Sequence, residues 1–172
     1  MNFEKEKQNV VATESVAFDT SERMGTVEGK IRTVVSSLGV NYVFNDWTKV
    51  NADMDFGEYP SIIFVQPPSG DLIFRNNTVR DRPECQIAFL DYTTHDDDAV
   101  DEDTVVERMK RLCFRFVKAL NDSRLFEPIE GNVRYQTVID HLDQNVGGII
   151  ISPTLAERNG IRICDIEKGR NG

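Results

Sequence analysis

Between residues 102 and 121 apolar side chains return every three or four positions. Val105, Val106, Met109, Leu112, Cys113, Phe116, Val117 and Leu120 share one helical face, and this spacing predicts an amphipathic helix from Glu102 to Asn121. Arg108, Arg111, Arg115 and Lys118 follow one another at helical steps between them, so they form a basic stripe away from the core. A shorter helix is expected earlier. Thr26 can cap it, Val27, Ile31, Val34, Val35 and Leu38 supply its apolar face, and Gly39 offers a left-handed stop.

The other apolar runs are strand-like. Asn41 to Val50, Tyr59 to Gln66, Asp71 to Asn76 and Cys85 to Tyr92 are separated by Gly, Pro and Asn signals, which predicts a three- or four-stranded antiparallel meander with gaps too short for parallel crossovers. After the long helix, Leu125 to Ile129 closes it, Val133 to Leu142 alternates, Val146 to Ser152 is apolar with a bulge expected at Gly147-Gly148, and Ile161 to Ile166 is a short last strand. The fold class expected is α+β: an antiparallel or mixed sheet of about five to seven strands on two helices, in the order helix, meander, helix, strands. Residues 1–24 have no helical or strand period and few large apolar groups beyond Phe3 and Phe18. They are expected to form an extended arm that contacts other subunits through those two rings. Residues 25–168 then make one domain, and residues 169–172 a short tail.

Composition narrows the function. A chain of 172 residues, 40% hydrophobic, is long enough for one full core. Its 20 basic and 29 acidic side chains give a formal charge of -9, which disfavours general binding to phosphate backbones. Cys85, Cys113 and Cys164 are odd in number and widely spaced, so they read as core thiols in a reducing compartment rather than a disulfide framework or zinc site. No apolar run approaches the length of a membrane span, and the charged opening lacks the character of a signal peptide. The expectation is a protein made in a cytoplasm, with no membrane partner.

Chemistry is harder to find than architecture. Thr94 to Asp103 contains His95, Asp96, Asp97, Asp98, Asp101, Glu102 and Asp103. It lacks the glycine and terminal glutamate spacing of an EF-hand, so it reads as a helix-capping run rather than a metal site. Asp71, Glu84 and Gln86 approximate the Asp…Glu-x-Lys arrangement of many nucleases, with Gln86 where the lysine belongs. His95 and His141 accompany no serine or cysteine nucleophile motif. No catalytic, cofactor or metal residue is therefore assigned, and no cofactor is expected. The basic stripe is a contact surface or a solvated face, with Glu107 and Arg111 as an i,i+4 pair. As a subunit interface, Asp96, Asp97, Asp98 and Asp101 of one copy would pair with Arg108, Arg111, Arg115 and Lys118 of the next, a heterologous contact that closes by rotation.

The stretches YPSIIFVQPPSGDLIF, RPECQIAFLDYTT, DEDTVVERMKRLCFRFVKALNDS and VRYQTVIDHLDQNVGGIIIS give an order of elements that resembles the small ring-forming tail terminator and head–tail joining proteins of tailed bacteriophages. The resemblance covers residues 25–166, with phages of Bacteroidota, including crAss-like ones, as the nearest context. It implies a non-enzymatic virion protein, made in the bacterial host cytoplasm and assembled as a sixfold or twelvefold ring in the neck or tail. Its partners would be other portal, neck or tail proteins, with DNA only passing through the lumen. Two other classes compete: a cytoplasmic adaptor or regulatory domain whose basic stripe binds an acidic protein, and a metal-dependent nuclease using Asp71 and Glu84.

Overall fold

A computed structural model describes residues 25–46, 59–93, 99–139 and 146–163. Helix α1 (Val27–Ser36) starts where the sequence places it: Thr26 Oγ1 accepts the Gly29 amide at 3.0 Å, and Glu28 lies in the first turn. Strands β1 (Asn41–Asn45), β2 (Ser61–Val65), β3 (Gly70–Arg75), β4 (Thr78–Pro83) and β5 (Gln86–Tyr92) follow. Then come the long helix α2 (Ala99–Ser123), β6 (Tyr135–Ile139), β7 (Val146–Ile151) and β8 (Ile161–Arg162). The α+β class holds, with the strands divided between two sheets. The main sheet runs β1-β2-β5-β7-β6, and a smaller one runs β3-β4-β8.

This division departs from the expected meander in two ways. First, β1 pairs with β2 in parallel. Residues 46–60 lie between them, enough chain for the crossover that parallel pairing requires. Second, β2 pairs with β5, and the β3–β4 hairpin between them leaves for the small sheet. The sequence reading passed over β4, whose Arg80, Asp81 and Arg82 look like loop residues.

Both helices cover one face of the main sheet. From α1 come Ile31 and Val35, from α2 Met109, Phe116 and Leu120, and from the strands Ile62, Phe64, Ile87, Phe89, Ile149 and Ile151, all in one buried cluster. Phe89 and Phe116 meet edge to face at 5.6 Å between ring centroids. Each large side chain buried here stabilises the fold by roughly 1.5–3 kcal/mol. The opposite face carries a second buried cluster of Ile63, Val65, Ala88, Leu90 and Val138. Burial on both sides explains why β2 reads as a continuous apolar run instead of alternating.

Gly147 and Gly148 form no bulge. Each faces one residue on either side, Asp91 and Leu90 on β5, Ile139 and Val138 on β6. Glycine is needed at 148 for closeness: a Cβ there would lie 2.0 Å from the Phe89 carbonyl oxygen. The last strand is shorter than expected and belongs to the small sheet, where Ile161 faces Val79. Among the described residues no helix is long and apolar enough to cross a membrane.

Cys85 and Cys113 are buried and free, as expected of core thiols, and Cys164 lies outside the described residues. Burial pushes the Cys85 thiol up to about 12 and the Cys113 thiol to about 11, so neither forms appreciable thiolate at neutral pH. In a Cys164→Ser protein, an aromatic disulfide reagent at about pH 8 is expected to release no colour from the native chain and two equivalents after denaturation. Rapid native release would contradict the packing of both thiols.

Candidate subunit interfaces

The basic stripe of α2 is largely engaged within its own chain. Arg108 Nη2 sits 2.9 Å from Asp91 Oδ2 near the end of β5. Arg115 donates to the Leu38 carbonyl at 3.3 Å, and Lys118 pairs with Asp122 one turn on. Glu107 pairs with Lys110 at 2.7 Å, taking the place of the expected Glu107–Arg111 pair. Arg111 remains exposed with no ion pair or hydrogen bond of its own among the described residues. Water screens pairs as exposed as these, so the stripe fixes side chains more than it holds the fold. Asp96, Asp97, Asp98, Phe3, Phe18, His95 and His141 lie outside the described residues, and Asp101 is placed only as part of the first turn of α2.

The nuclease-like set is not assembled. Asp71 faces Arg82 across the hairpin, Glu84 accepts a hydrogen bond from Ser69 Oγ at 2.8 Å, and Gln86 opens β5 in the other sheet. Among the described residues no three His, Cys, Asp or Glu side chains are grouped to hold a metal ion.

A different feature dominates the surface. The β3–β4 hairpin turns at Asn76-Asn77, both with positive φ (48° and 61°), as a two-residue type I′ turn requires. Opposed residues of an antiparallel pair share a face, so the register sorts the ribbon β3–β4–β8 into two chemistries. One face carries Leu72, Phe74, Val79, Asp81 and Ile161, and the other Asp71, Ile73, Arg75, Thr78, Arg80, Arg82 and Arg162. Leu72 is 63% exposed, Phe74 67% and Ile161 43%. Arg80 leans toward Glu127, which Arg158 also approaches, whereas Arg75, Arg82 and Arg162 make no ion pair among the described residues. The outer edge of β3 is likewise unpaired there.

The ribbon is fastened to the body by an irregular segment that the sequence reading did not single out, residues 152–160. Glu157, 3% exposed, meets Lys30 Nζ at 2.5 Å with Oε1 and accepts the Asp81 amide at 2.9 Å with Oε2. Its own amide donates to the Asp81 carbonyl at 3.2 Å. Arg158 and Glu127 amides donate to Leu125 and Ala156 carbonyls, tying the same segment to the chain after α2. A lone glutamate outside any periodic run gives no sequence signal for such a role.

A groove of about 620 Å³ opens between α2 and strands β6 and β7, with Cys113, Phe114, Val117, Tyr135 and Ile151 among its walls. Phe114 is 68% exposed and Tyr135 52%, and Lys110 Nζ lies 5.0 Å from the Tyr135 ring centre. Beside it, β6 is an edge strand paired only with β7 among the described residues. Compared with known protein families and with curated protein sequences, the chain matches none.

Desolvation first, and then the Glu157 carboxylate, raises the Asp81 carboxyl above its ordinary value of 3.8. A raised carboxyl binds its proton more tightly in the folded chain than in the unfolded one, so its stabilising share is complete in acid and lost as pH rises through the folded value. Asp81→Asn is therefore expected to raise the Tm near pH 7 and to give no gain near pH 3, followed by thermal melting at both. A lower Tm near pH 7 would contradict the assignment.

Proposed function

We propose that this chain is a structural virion protein of a tailed bacteriophage, one subunit of an oligomeric ring in the neck or tail that joins portal-side and tail components around the DNA channel. The observation that carries the reading is the ribbon. Leu72, Phe74 and Ile161 stand exposed on a single face beside a strand edge that is unpaired among the described residues. Apolar surface gathered in this way marks a protein–protein contact, and an uncovered edge strand is a template for another chain. The order of elements supplies the phage context. A formal charge of -9 suits a channel through which a polyanion must slide without sticking.

A ring built this way combines apolar contacts with charged ones that salt screens. Light scattering of the full-length protein at about 50 mM and about 500 mM salt, with negative-stain imaging of the large species, tests the reading. A closed ring of six or twelve 19.6 kDa chains is expected, its population lower at the higher salt. A monomer at both salts, with or without purified portal or tail proteins, would contradict the ring and favour an adaptor domain.

A further inference from the structure

On the ribbon face opposite Leu72 and Phe74 stand Arg75, Arg80, Arg82 and Arg162, four cations in a chain whose formal charge is -9. We infer that Arg75, Arg82 and Arg162 contact the phosphate backbone of duplex DNA, and that a ring subunit meets the DNA passing through it with this face. This rests on the ring reading for the source of the DNA and names the surface that touches it.

Three of the four arginines are available. Arg80 leans toward Glu127, whereas Arg75, Arg82 and Arg162 are exposed and make no ion pair among the described residues. Arg75 and Arg162 flank Thr78 in one row across the three strands, about 10 Å apart at the usual strand spacing. Residues 72–80 contain no carboxylate, and Asp71, at the end of β3 far from the turn, is the one acidic residue that the three strands place on this face. Over about 10 Å of its axis a duplex presents about six phosphate charges, so each guanidinium has an acceptor within reach. The planar fork of arginine matches phosphate oxygens, and the exposed Asn76 and Asn77 at the turn add neutral donors.

The composition of the face favours DNA over an acidic protein. A protein contact has an apolar, aromatic centre depleted of charge, which is the character of the Leu72 and Phe74 face. A nucleic-acid contact is polar and strongly positive throughout, and here Ile73 is the only large apolar side chain that the three strands set among the arginines. Three contacts per chain are also few. They act without regard to base sequence and so let DNA slide, while the surplus of carboxylates elsewhere in the chain opposes a tighter hold.

Fluorescence anisotropy of a labelled DNA duplex titrated with the full-length protein tests the contact. Binding is expected at about 50 mM salt whatever the duplex sequence, and three phosphate contacts make it at least about 40-fold weaker at about 200 mM. A chain carrying Arg75→Gln, Arg82→Gln and Arg162→Gln together is expected to lose that binding while keeping the wild-type mass by light scattering, and the same three changes to Lys retain it. If the triple variant misfolds, each single change to Gln is expected to flatten the salt dependence. Arg111→Gln removes an exposed arginine that is equally without an ion pair among the described residues but lies on α2, and it leaves binding unchanged. The inference is overturned if the wild-type chain ignores the duplex at the lower salt, or if Arg111→Gln costs as much binding as the ribbon changes. Poly-glutamate of equal charge held as tightly as the duplex would assign the face to an acidic protein and overturn it. Loss of wild-type mass in the folded triple variant would assign the arginines to assembly and overturn it too. The two readings fail separately: a ring that ignores the duplex loses the DNA contact alone, and a monomer that binds it through these arginines loses the ring alone.

Discussion

Glu157 carries a full charge into the interior on a segment without regular structure, and the position of the ribbon depends on how that charge is satisfied. Burying a carboxylate costs several kcal/mol unless partners replace its water. Lys30 from α1 neutralises it, and the Asp81 amide from β4 occupies the other oxygen. Removing one partner would leave the other buried and uncompensated, at a cost of about 3–5 kcal/mol. The interaction thereby couples three elements: the first helix, the irregular segment 152–160 and the small sheet. A second carboxylate, Asp81, stands beside it under strain from burial and like charge. The ribbon is thus held at its root by a charged junction, while its far end, with Phe74 and the Asn76-Asn77 turn, is left to solvent.

That division separates two kinds of burial. The main sheet with α1 and α2 is closed by ordinary apolar packing, in which Ile31, Phe89, Phe116 and Leu120 have no contact with water. The small sheet has too few residues to close on itself. A ribbon of this size is at best marginally stable alone in water, and its apolar face is only partly covered: Leu72 lines a pocket with Phe44 and Phe64 and is still 63% exposed. The four arginines on the other face have no counterpart in the core.

The parts of the fold legible in the sequence are those with a strong period. Helix α2 was readable from Val105 to Leu120 because one face of it is buried along its length, and α1 from its Thr26 cap and Val27 to Val35. Strands β2, β5 and β7 were readable as apolar runs. The parallel pairing of β1 and β2 was not, since pairing partners leave no mark in local pattern. Strand β4 was missed because its alternation, Val79 and Asp81 against Arg80 and Arg82, serves a ribbon whose faces are not core and solvent. The contact surfaces divide in the same way. Arg108 and Arg115 were legible as a stripe, but their engagement with Asp91 and the Leu38 carbonyl is a tertiary fact. Leu72 and Phe74 belong to a run readable only as one strand of a meander, and the division into two sheets is what shows them as surface.

The central proposal is that the ribbon, whose outer β3 edge is unpaired among the described residues, is an assembly surface. Amide hydrogen exchange on the full-length chain, followed peptide by peptide above and below the concentration at which it assembles, tests it most directly. Amides in Gly70–Arg75 should become protected on assembly, with those of β2 and β5 slow in both states. Equal exchange of the β3 amides in dispersed and assembled protein would contradict it.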